Sequence, residues 1–273
     1  MARLPVSAGA IRKLLKEIES SGHGEHVLAI GGASVLAPVL QQQFFRGGAD
    51  RGAVRTGGPE GADAYIHVLA GELGPEDVAV LRRAAQAGVP VIAVALGSRA
   101  GDFRIPYVLA TDAVWAGSRQ SFPLEAIARA IAARLGEDGA PLAARVPLLR
   151  EAVCDALIES FARKNALVAA AVWIPGADLP VLALNEFRLA LRLAQAYGEY
   201  RGLELLPELA ATLGAGFGLR ALARELLDLV PVAGWALKGV VAYGGTRALG
   251  EAARRRFELA PRRPRDAAAR AEP

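Results

Sequence analysis

Two adjacent glycines at the end of an apolar run are candidates for binding an anion through their backbone amides. Gly31 and Gly32 end an apolar run, and Ser34 follows just before a stretch with helical periodicity. Backbone amides at the start of a helix attract anions, and glycine lets an anion approach the backbone closely. The pattern therefore predicts a weak anion site at Gly31, Gly32 and Ser34.

A nucleoside triphosphate needs more than these glycines. The phosphate loop Gly-x4-Gly-Lys-Ser/Thr supplies a lysine to the terminal phosphates and a hydroxyl to magnesium. Counting from Gly31, residues 36–38 are leucine, alanine and proline, so both groups are missing. We therefore expect no bound cofactor.

Two histidines suggest a metal pair, because His23 and His26 flank Glu25. Metal sites in proteins usually have three or four protein ligands, and the sequence offers no assured third one. We interpret this segment as a loop that enters the first strand, and we expect no metal site.

Catalytic side chains are not predicted elsewhere. Cys154 lies among alanine, valine and leucine on a helix, which is typical of a core thiol. His67 falls within an apolar strand, and Asp178 has the position of a helix N-cap. We expect no catalytic residue among the three.

Composition and charge exclude several protein classes. The single cysteine, Cys154, rules out an internal disulfide framework, and no secretory signal is visible, so we expect a cytoplasmic protein. Seven arginines against three acidic residues over 254–273 account for the whole net charge of +4. The rest of the chain is neutral, which argues against nucleic-acid binding.

The first half predicts an α/β domain over residues 1–138. After a first helix capped by Ser7, strands are expected at 27–30, 65–69, 89–95 and 107–110, with helices at 34–45, 75–87 and 123–135 and a loop at 46–61. Strands that alternate with helices of this length indicate a mainly parallel, Rossmann-like sheet.

The second half predicts an all-α domain over residues 145–258. Residues 137–141 are interpreted as a linker, and the pattern from Pro147 to Phe257 is helical. Residues 259–273 are rich in arginine and proline, which is typical of a disordered basic tail.

Two motifs in this helical half carry a family resemblance. One runs from Trp173 through Pro175-Gly-Ala-Asp178 to Tyr197-Gly, and the other is Tyr243-Gly-Gly-Thr-Arg-Ala-Leu-Gly250. Residues from about 150 to 258 thus resemble the bacterial YcjF-type domain of unknown function 697. The resemblance implies a helical domain behind a GTPase domain, in a family whose members are often predicted to be inner-membrane proteins.

After Gly31 and Gly32, the first half has three successive segments at 62–69, 88–94 and 105–111 that are similar to the later strands of Era-like GTPases. Where that family places Asn-Lys-x-Asp, residues 96–99 read Leu-Gly-Ser-Arg. The resemblance implies a degenerate, pseudo-GTPase domain, and an unrelated Rossmann-like sheet is the alternative.

Two apolar segments raise the question of membrane contact. Residues 166–184 hold one charged residue, Asp178, but Pro175, Gly176 and Pro180 interrupt them. A helical hairpin that is buried in protein or dips into lipid fits better than a straight span. The segment 226–250 carries three charges, and its small residues, together with a Gly-x-x-x-Gly upstream, indicate close helix packing: Ala236, Gly244 and Ala248, with Gly214 and Gly218.

Together these patterns predict a non-enzymatic interaction or scaffold protein at the cytoplasmic face of the membrane. A true GTPase, or a second copy of the chain bound through the helical domain, is a candidate partner. One alternative is a divergent GTP-binding switch or hydrolase built around Gly31, Gly32 and Ser34. The other is a soluble helical module that binds an apolar ligand at Trp173 and Trp235.

Overall fold

A computed structural model describes residues 8–22, 24–97, 104–119, 121–171, 179–199 and 234–259, with only the backbone for residues 8 and 234–237. Its elements in chain order are α1 (Ala8–Gly22), β1 (Leu28–Gly32), α2 (Leu36–Arg46), β2 (Val54–Thr56), β3 (Ala64–Leu69), α3 (Pro75–Gln86), β4 (Val91–Leu96), β5 (Ala113–Ala116), α4 (Leu124–Leu135), α5 (Gly139–Arg145), α6 (Arg150–Ala171), α7 (Leu179–Ala196) and α8 (Gly234–Leu259).

The five strands form one parallel sheet in the order β2-β1-β3-β4-β5. Ile66 of β3 pairs in register with Ile30 of β1 on one side and with Ile92 of β4 on the other. The predicted α/β architecture with a parallel sheet is thus confirmed. In this order β2 is added on one side of β1, and β3, β4 and β5 are added on the other. The direction in which strands are added therefore reverses between β1 and β3, which makes this position the topological switch point of the sheet.

The two faces of the sheet pack against different helices. Ala29, Tyr65 and Ala93 face α3, where they meet Leu81 and Ala84. The alternate residues of the strands face α2 and α4 and belong to a much larger cluster. Alternation of this kind is expected, because neighbouring strand residues point to opposite faces of a sheet.

The helical half is built around α6. Its neighbours include α4 and α5 on one side and α7 and α8 on the other, while α1 packs on α7. One hydrophobic cluster continues from Ile66 in the sheet through Ile131 of α4 and Phe161 of α6 to Leu193 of α7 and Phe257 of α8. Regular structure in the described residues after 147 is entirely helical, as predicted.

The strand predicted at 107–110 is wrong. Tyr107 has a positive φ of 64°, Tyr107 and Leu109 are exposed, and Ala110–Asp112 form a 3-10 turn. The fifth strand is instead β5, where Val114 is buried and pairs with Val94. The apolar run at 107–110 is not a strand: Tyr107, Leu109 and Ala110 face solvent, and only Val108 packs against the cluster on the α3 face of the sheet.

Two further expectations fail on local structure. The predicted loop at 46–61 contains β2, whose Val54 is buried against the core. The predicted linker at 137–141 is a 3-10 turn followed by the start of α5, in which Ala140, Pro141 and Leu142 are buried. Pro141 is compatible with this helix because it lies in the first turn, where a missing N–H breaks no hydrogen bond.

Several predictions fall outside the described residues. These are the roles of His23, Trp173 and Asp178, the bend of the predicted hairpin at 175–178, the glycines at 214 and 218, and the basic tail beyond 259. The same holds for the side chain of Trp235. None of the helices over the described ranges is both long and apolar enough to cross a bilayer.

A charged network ties α6 to α7 through Glu137 and α1 to α7 through Glu17. Glu137 accepts a hydrogen bond from Lys164 (2.7 Å), and its other oxygen lies 2.8 Å from Nε of Arg188. Arg188 also reaches Glu17 on α1 at 2.6 Å, and the buried Arg192 lies 3.6 Å from the same carboxylate. Burial alone raises the pKa of Glu137, but Lys164 and the two arginines outweigh it and hold that pKa below its usual 4.5.

We predict that Glu137→Gln lowers the free energy of unfolding by about 1–2 kcal/mol at neutral pH, because the half-buried Arg188 and the buried Arg192 lose a counter-charge that solvent only partly screens. A carboxylate with a depressed pKa stabilises the fold above about pH 4.5 and loses this effect as the pH falls through its folded pKa. The difference between variant and wild type should therefore shrink in acid.

Urea unfolding at several pH values measures this effect. Glu125→Gln is the matched control, since Glu125 forms an exposed pair with Arg129 one helical turn away. Equal losses for the two variants at neutral pH would contradict the role assigned to Glu137.

Candidate functional site

The carboxyl ends of β1 and β3 form the expected binding position in a sheet of this order. Ligands of open α/β sheets bind outside the carboxyl ends of the strands, where the strand order reverses. Gly32 ends β1 at this point, and Ser34 lies in the short connection to α2. The structure therefore places the predicted anion residues at the switch point, with Gly32 and Ser34 exposed and Gly31 buried.

Packing, rather than ligand access, explains both glycines. A Cβ on Gly31 would lie 2.3 Å from the hydroxyl of Tyr65 and 2.6 Å from the carbonyl oxygen of Gly57. Gly32 has a φ of 89°, and a Cβ there would lie 2.2 Å from the carbonyl oxygen of Val68. Neighbouring strands thus occupy the space that the absent side chains leave.

The connection from β1 to α2 is too short to cradle a triphosphate. Residues 33–35 alone join the two elements, and the Ala33 amide donates to the carbonyl of Val68 at 2.8 Å. A phosphate loop instead spans several residues whose amides all point inward at the ligand. The Ala33 amide is committed to β3, so it does not point at a ligand.

A buried network of three polar side chains lies beside Gly31. The two nitrogens of the His67 ring contact the Tyr65 hydroxyl (3.1 Å) and a carboxylate oxygen of Asp77 (2.9 Å). The second oxygen of Asp77 accepts from the Gly74 amide at the start of α3. Because the carboxylate only accepts, Nε2 carries the proton, and Nδ1 then accepts from the tyrosine.

Within this network the His67 ring is neutral and the Tyr65 hydroxyl keeps its proton, and both side chains are paired. Burial lowers the pKa of His67, although the hydrogen bond and the charge of Asp77 oppose that effect. Burial also raises the pKa of Tyr65 to about 12. Tyr65 and His67 are each only 1% exposed, so solvent and substrate do not reach them. The network joins β3 to the start of α3, which is a structural role.

The sequence pattern alone did not reveal this network. His67 was expected to have no catalytic role, in keeping with its lack of access, but no partner was predicted for it. A sequence feature that could have indicated it is the spacing of Tyr65 and His67, which are two residues apart and so share one face of a strand. Asp77 then follows in the first turn of the next helix. That spacing brings the three side chains together above the sheet.

A second buried polar cluster lies among α6, α7 and α8. Asn165 of α6 donates to the hydroxyl of Thr246 at 2.9 Å and accepts from Asn185 at 2.8 Å. The Thr246 hydroxyl lies 3.3 Å from the carboxylate of the buried Glu186. Thr246 belongs to the Tyr-Gly-Gly-Thr motif, so this motif contributes a polar contact between helices.

The glycines that bring α8 close to α6 differ from the predicted ones. Among the described residues nothing lies within 4 Å of a Cβ placed on Gly244, and Ala248 is exposed, so neither lies at the contact. Instead, a Cβ on Gly250 would lie 2.7 Å from Ile158, and one on Gly239 would lie 3.3 Å from the carbonyl oxygen of Ala166. The prediction that small residues let α8 pack closely is confirmed, but the residues at the contact are Gly239 and Gly250 rather than Gly244 and Ala248.

One end of this helical bundle exposes apolar side chains. The close approach of Gly239 to Ala166 and the cluster of Ala169, Leu182 and Ala242 place the end of α6 beside the starts of α7 and α8. On the outside of these three helix ends, Leu167 is 71% exposed, Val181 46% and Val240 66%. We call this surface the apolar end.

The remaining candidates have no catalytic geometry. Cys154 is fully buried, and burial raises the pKa of its thiol to about 12, which confirms the predicted core thiol. His26 pairs with Asp63. Within the described ranges, no group of three or more histidine, cysteine, aspartate or glutamate side chains could hold a metal ion.

Comparisons with protein-family models, curated proteins and solved structures found no match. The fold and the sites therefore rest on the geometry of this chain alone.

We predict that the chain does not bind GTP. Leucine, alanine and proline at 36–38 replace the lysine and the magnesium-binding hydroxyl of a phosphate loop, and the three-residue connection from β1 to α2 has no room for several inward-pointing amides. Calorimetric titration with GTP and magnesium should give no saturable heat in the micromolar range. Saturable, magnesium-dependent binding that is lost in Gly32→Leu would overturn this prediction.

We also predict that Gly31→Ala lowers the free energy of unfolding by about 1–3 kcal/mol, because the added methyl group meets Tyr65 and a backbone carbonyl that has little freedom to move. Thermal unfolding measures the effect. Gly71→Ala is the control, since nothing lies within 4 Å of a Cβ at that position. A wild-type midpoint for Gly31→Ala would show that the site is open enough to receive a ligand.

Proposed function

We propose that the protein is a non-enzymatic interaction protein that attaches to a membrane surface through its helical half. In this proposal the α/β half is a degenerate, GTPase-like domain that has lost nucleotide chemistry. The single observation that carries the proposal is the apolar end of the bundle.

The composition of the apolar end supports contact with lipid. Residues 166–171 and 179–184 contain no charged side chain, and residues 234–243 contain only Lys238. Burial of one exposed leucine or valine is favourable by on the order of 1 kcal/mol, so three of them on neighbouring helices give a useful binding energy. Lys238 is suited to the phosphate region of an anionic bilayer.

The rest of the bundle surface has the opposite character. Further along α6, Arg163 and Glu159 form an exposed ion pair, and Tyr243 and Arg247 of α8 contact the same glutamate. Apart from Leu259, at the last residue of α8, the large exposed apolar side chains of the described bundle helices lie at the apolar end. Clustered apolar exposure of this kind marks a site of interaction.

The α/β half supports the non-enzymatic part of the proposal. At its switch point the glycines pack against Tyr65 and Val68, and the nearby histidine is buried and neutral. In this proposal the α/β half is a surface for a partner, which we propose to be a true GTPase. Such a partner is proposed on the resemblance of the sequence.

We predict that the full chain sediments with vesicles of phosphatidylcholine and phosphatidylglycerol, and that Leu167→Gln with Val240→Gln reduces the bound fraction severalfold. Each polar substitution removes on the order of 1 kcal/mol of apolar transfer energy. Co-sedimentation at several lipid concentrations gives the apparent affinity.

Val35→Gln is the control for an exposed apolar side chain, because Val35 is 77% exposed but precedes α2 and is not on a bundle helix. It should sediment like the wild type. If the double variant also sediments like the wild type, the apolar end does not contact lipid. If the wild type forms dimers in analytical ultracentrifugation without lipid and the double variant does not, the surface joins two copies instead.

A further inference from the structure

His26 joins the end of α1 to the turn before β3. One ring nitrogen, Nε2, lies 2.7 Å from the carbonyl oxygen of Ser21, near the end of α1. The other, Nδ1, lies 3.1 Å from a carboxylate oxygen of Asp63. The second oxygen of Asp63 accepts from the Val27 amide at 2.6 Å, which fixes the carboxylate in place.

Both partners of the ring are acceptors, and this decides its protonation state. A neutral imidazole has one N–H, so it can donate to Ser21 or to Asp63 but not to both. In the neutral ring, one nitrogen lone pair would face an acceptor oxygen. Only the protonated ring satisfies both contacts at the observed distances.

We propose that His26 is a pH-sensitive latch, which holds the last turn of α1 against the body of the protein when its ring is protonated. The carbonyls at the end of a helix have no partners within the helix. In α1, the Ile18 carbonyl accepts from Gln195 of α7 at 3.1 Å, and the Ser21 carbonyl accepts from His26. A positive charge at this position is also favoured by the helix dipole.

Of the charged side chains near His26, Asp63 favours protonation of the ring and Arg145 opposes it. Asp63, before β3, is the anionic partner. Arg145 of α5 donates to the backbone carbonyl of His26 at 2.9 Å and pairs with Asp50 at 3.6 Å. From α7, Arg192 donates to the hydroxyl of Ser21 at 3.1 Å.

The balance of these contacts favours the charged ring. The hydrogen bond to Asp63 raises the pKa of His26 above 6.5, burial opposes it, and the hydrogen bond to Ser21 and the charge of Asp63 add to the rise, against the charge of Arg145. The latch is therefore fully engaged below pH 6.5 and is lost as the pH rises through the folded pKa.

Loss of the latch loosens one end of α1 without unfolding the protein. The apolar face of α1, with Leu14, Leu15 and Ile18, packs in the main cluster beside α7. Glu17, one turn before Ser21, also holds the helix through its ion pair with Arg188 of α7, which does not involve His26. The turn that contains Ile18 and Ser21 is the part that becomes accessible.

Hydrogen exchange of the full chain tests the latch between about pH 5.5 and about pH 8.5, with rates corrected for the intrinsic pH dependence of exchange. Protection of the amides of residues 18–22 should fall as the pH rises, while protection in β3 and β4 stays constant. In His26→Gln the protection of α1 should be low and independent of pH. His23→Gln is the histidine control and should behave like the wild type.

A direct titration keeps the test decisive if His26→Gln folds poorly. The His26 ring resonance of the wild type, followed by NMR, should titrate with a midpoint above 6.5, and Asp63→Asn should lower that midpoint. A midpoint at or below 6.5 would overturn the proposal. So would α1 protection that does not change with pH, or that changes equally in His26→Gln.

Discussion

The packing of α6 is the contact on which the rest of the structure depends. This helix buries Leu157 and Phe161 in the same cluster as the strands, and it carries α7 and α8 on its far side. Its burial is spread around the helix, which is expected when neighbours cover it on several sides. Without α6, the sheet face covered by α4 would lose its second layer and the bundle would have no centre.

Buried polar groups then fix how the elements meet. Asn165 and Thr246 set α8 against α6, Glu137 joins α6 to α7, and His67 fixes α3 on the sheet. Groups of this kind are costly when unpaired, so they select one arrangement among many of similar apolar burial. The fold is thus stabilised by apolar packing and specified by a few polar contacts.

The sequence predicted what local pattern controls, and failed where distant contacts decide. Apolar runs located β1, β3 and β4, and helical periodicity located α2, α3, α4 and α7, within a few residues. The run at 107–110 looked like a strand, whereas β5 is defined only by its pairing with β4.

The side-chain contacts depend on residues far apart in sequence. Thr246, which Asn165 contacts, lies 81 residues away, and Asp63, which His26 contacts, lies 37 residues away, so no local pattern could reveal them. At the candidate site, the missing phosphate-loop residues were visible in the sequence, but the packing of Gly31 against Tyr65 was not.

These features separate the two halves by what each offers to a partner. The switch point of the sheet is closed by packing, whereas the bundle ends in three exposed apolar side chains on different helices. The proposed function follows from that contrast.

Fractionation of cells that express the full chain tests the proposed function most directly. If the apolar end contacts lipid, the protein should collect in the membrane fraction and be released by mild detergent. Recovery of the whole protein in the cytosolic fraction, with none released from membranes by detergent, would contradict it.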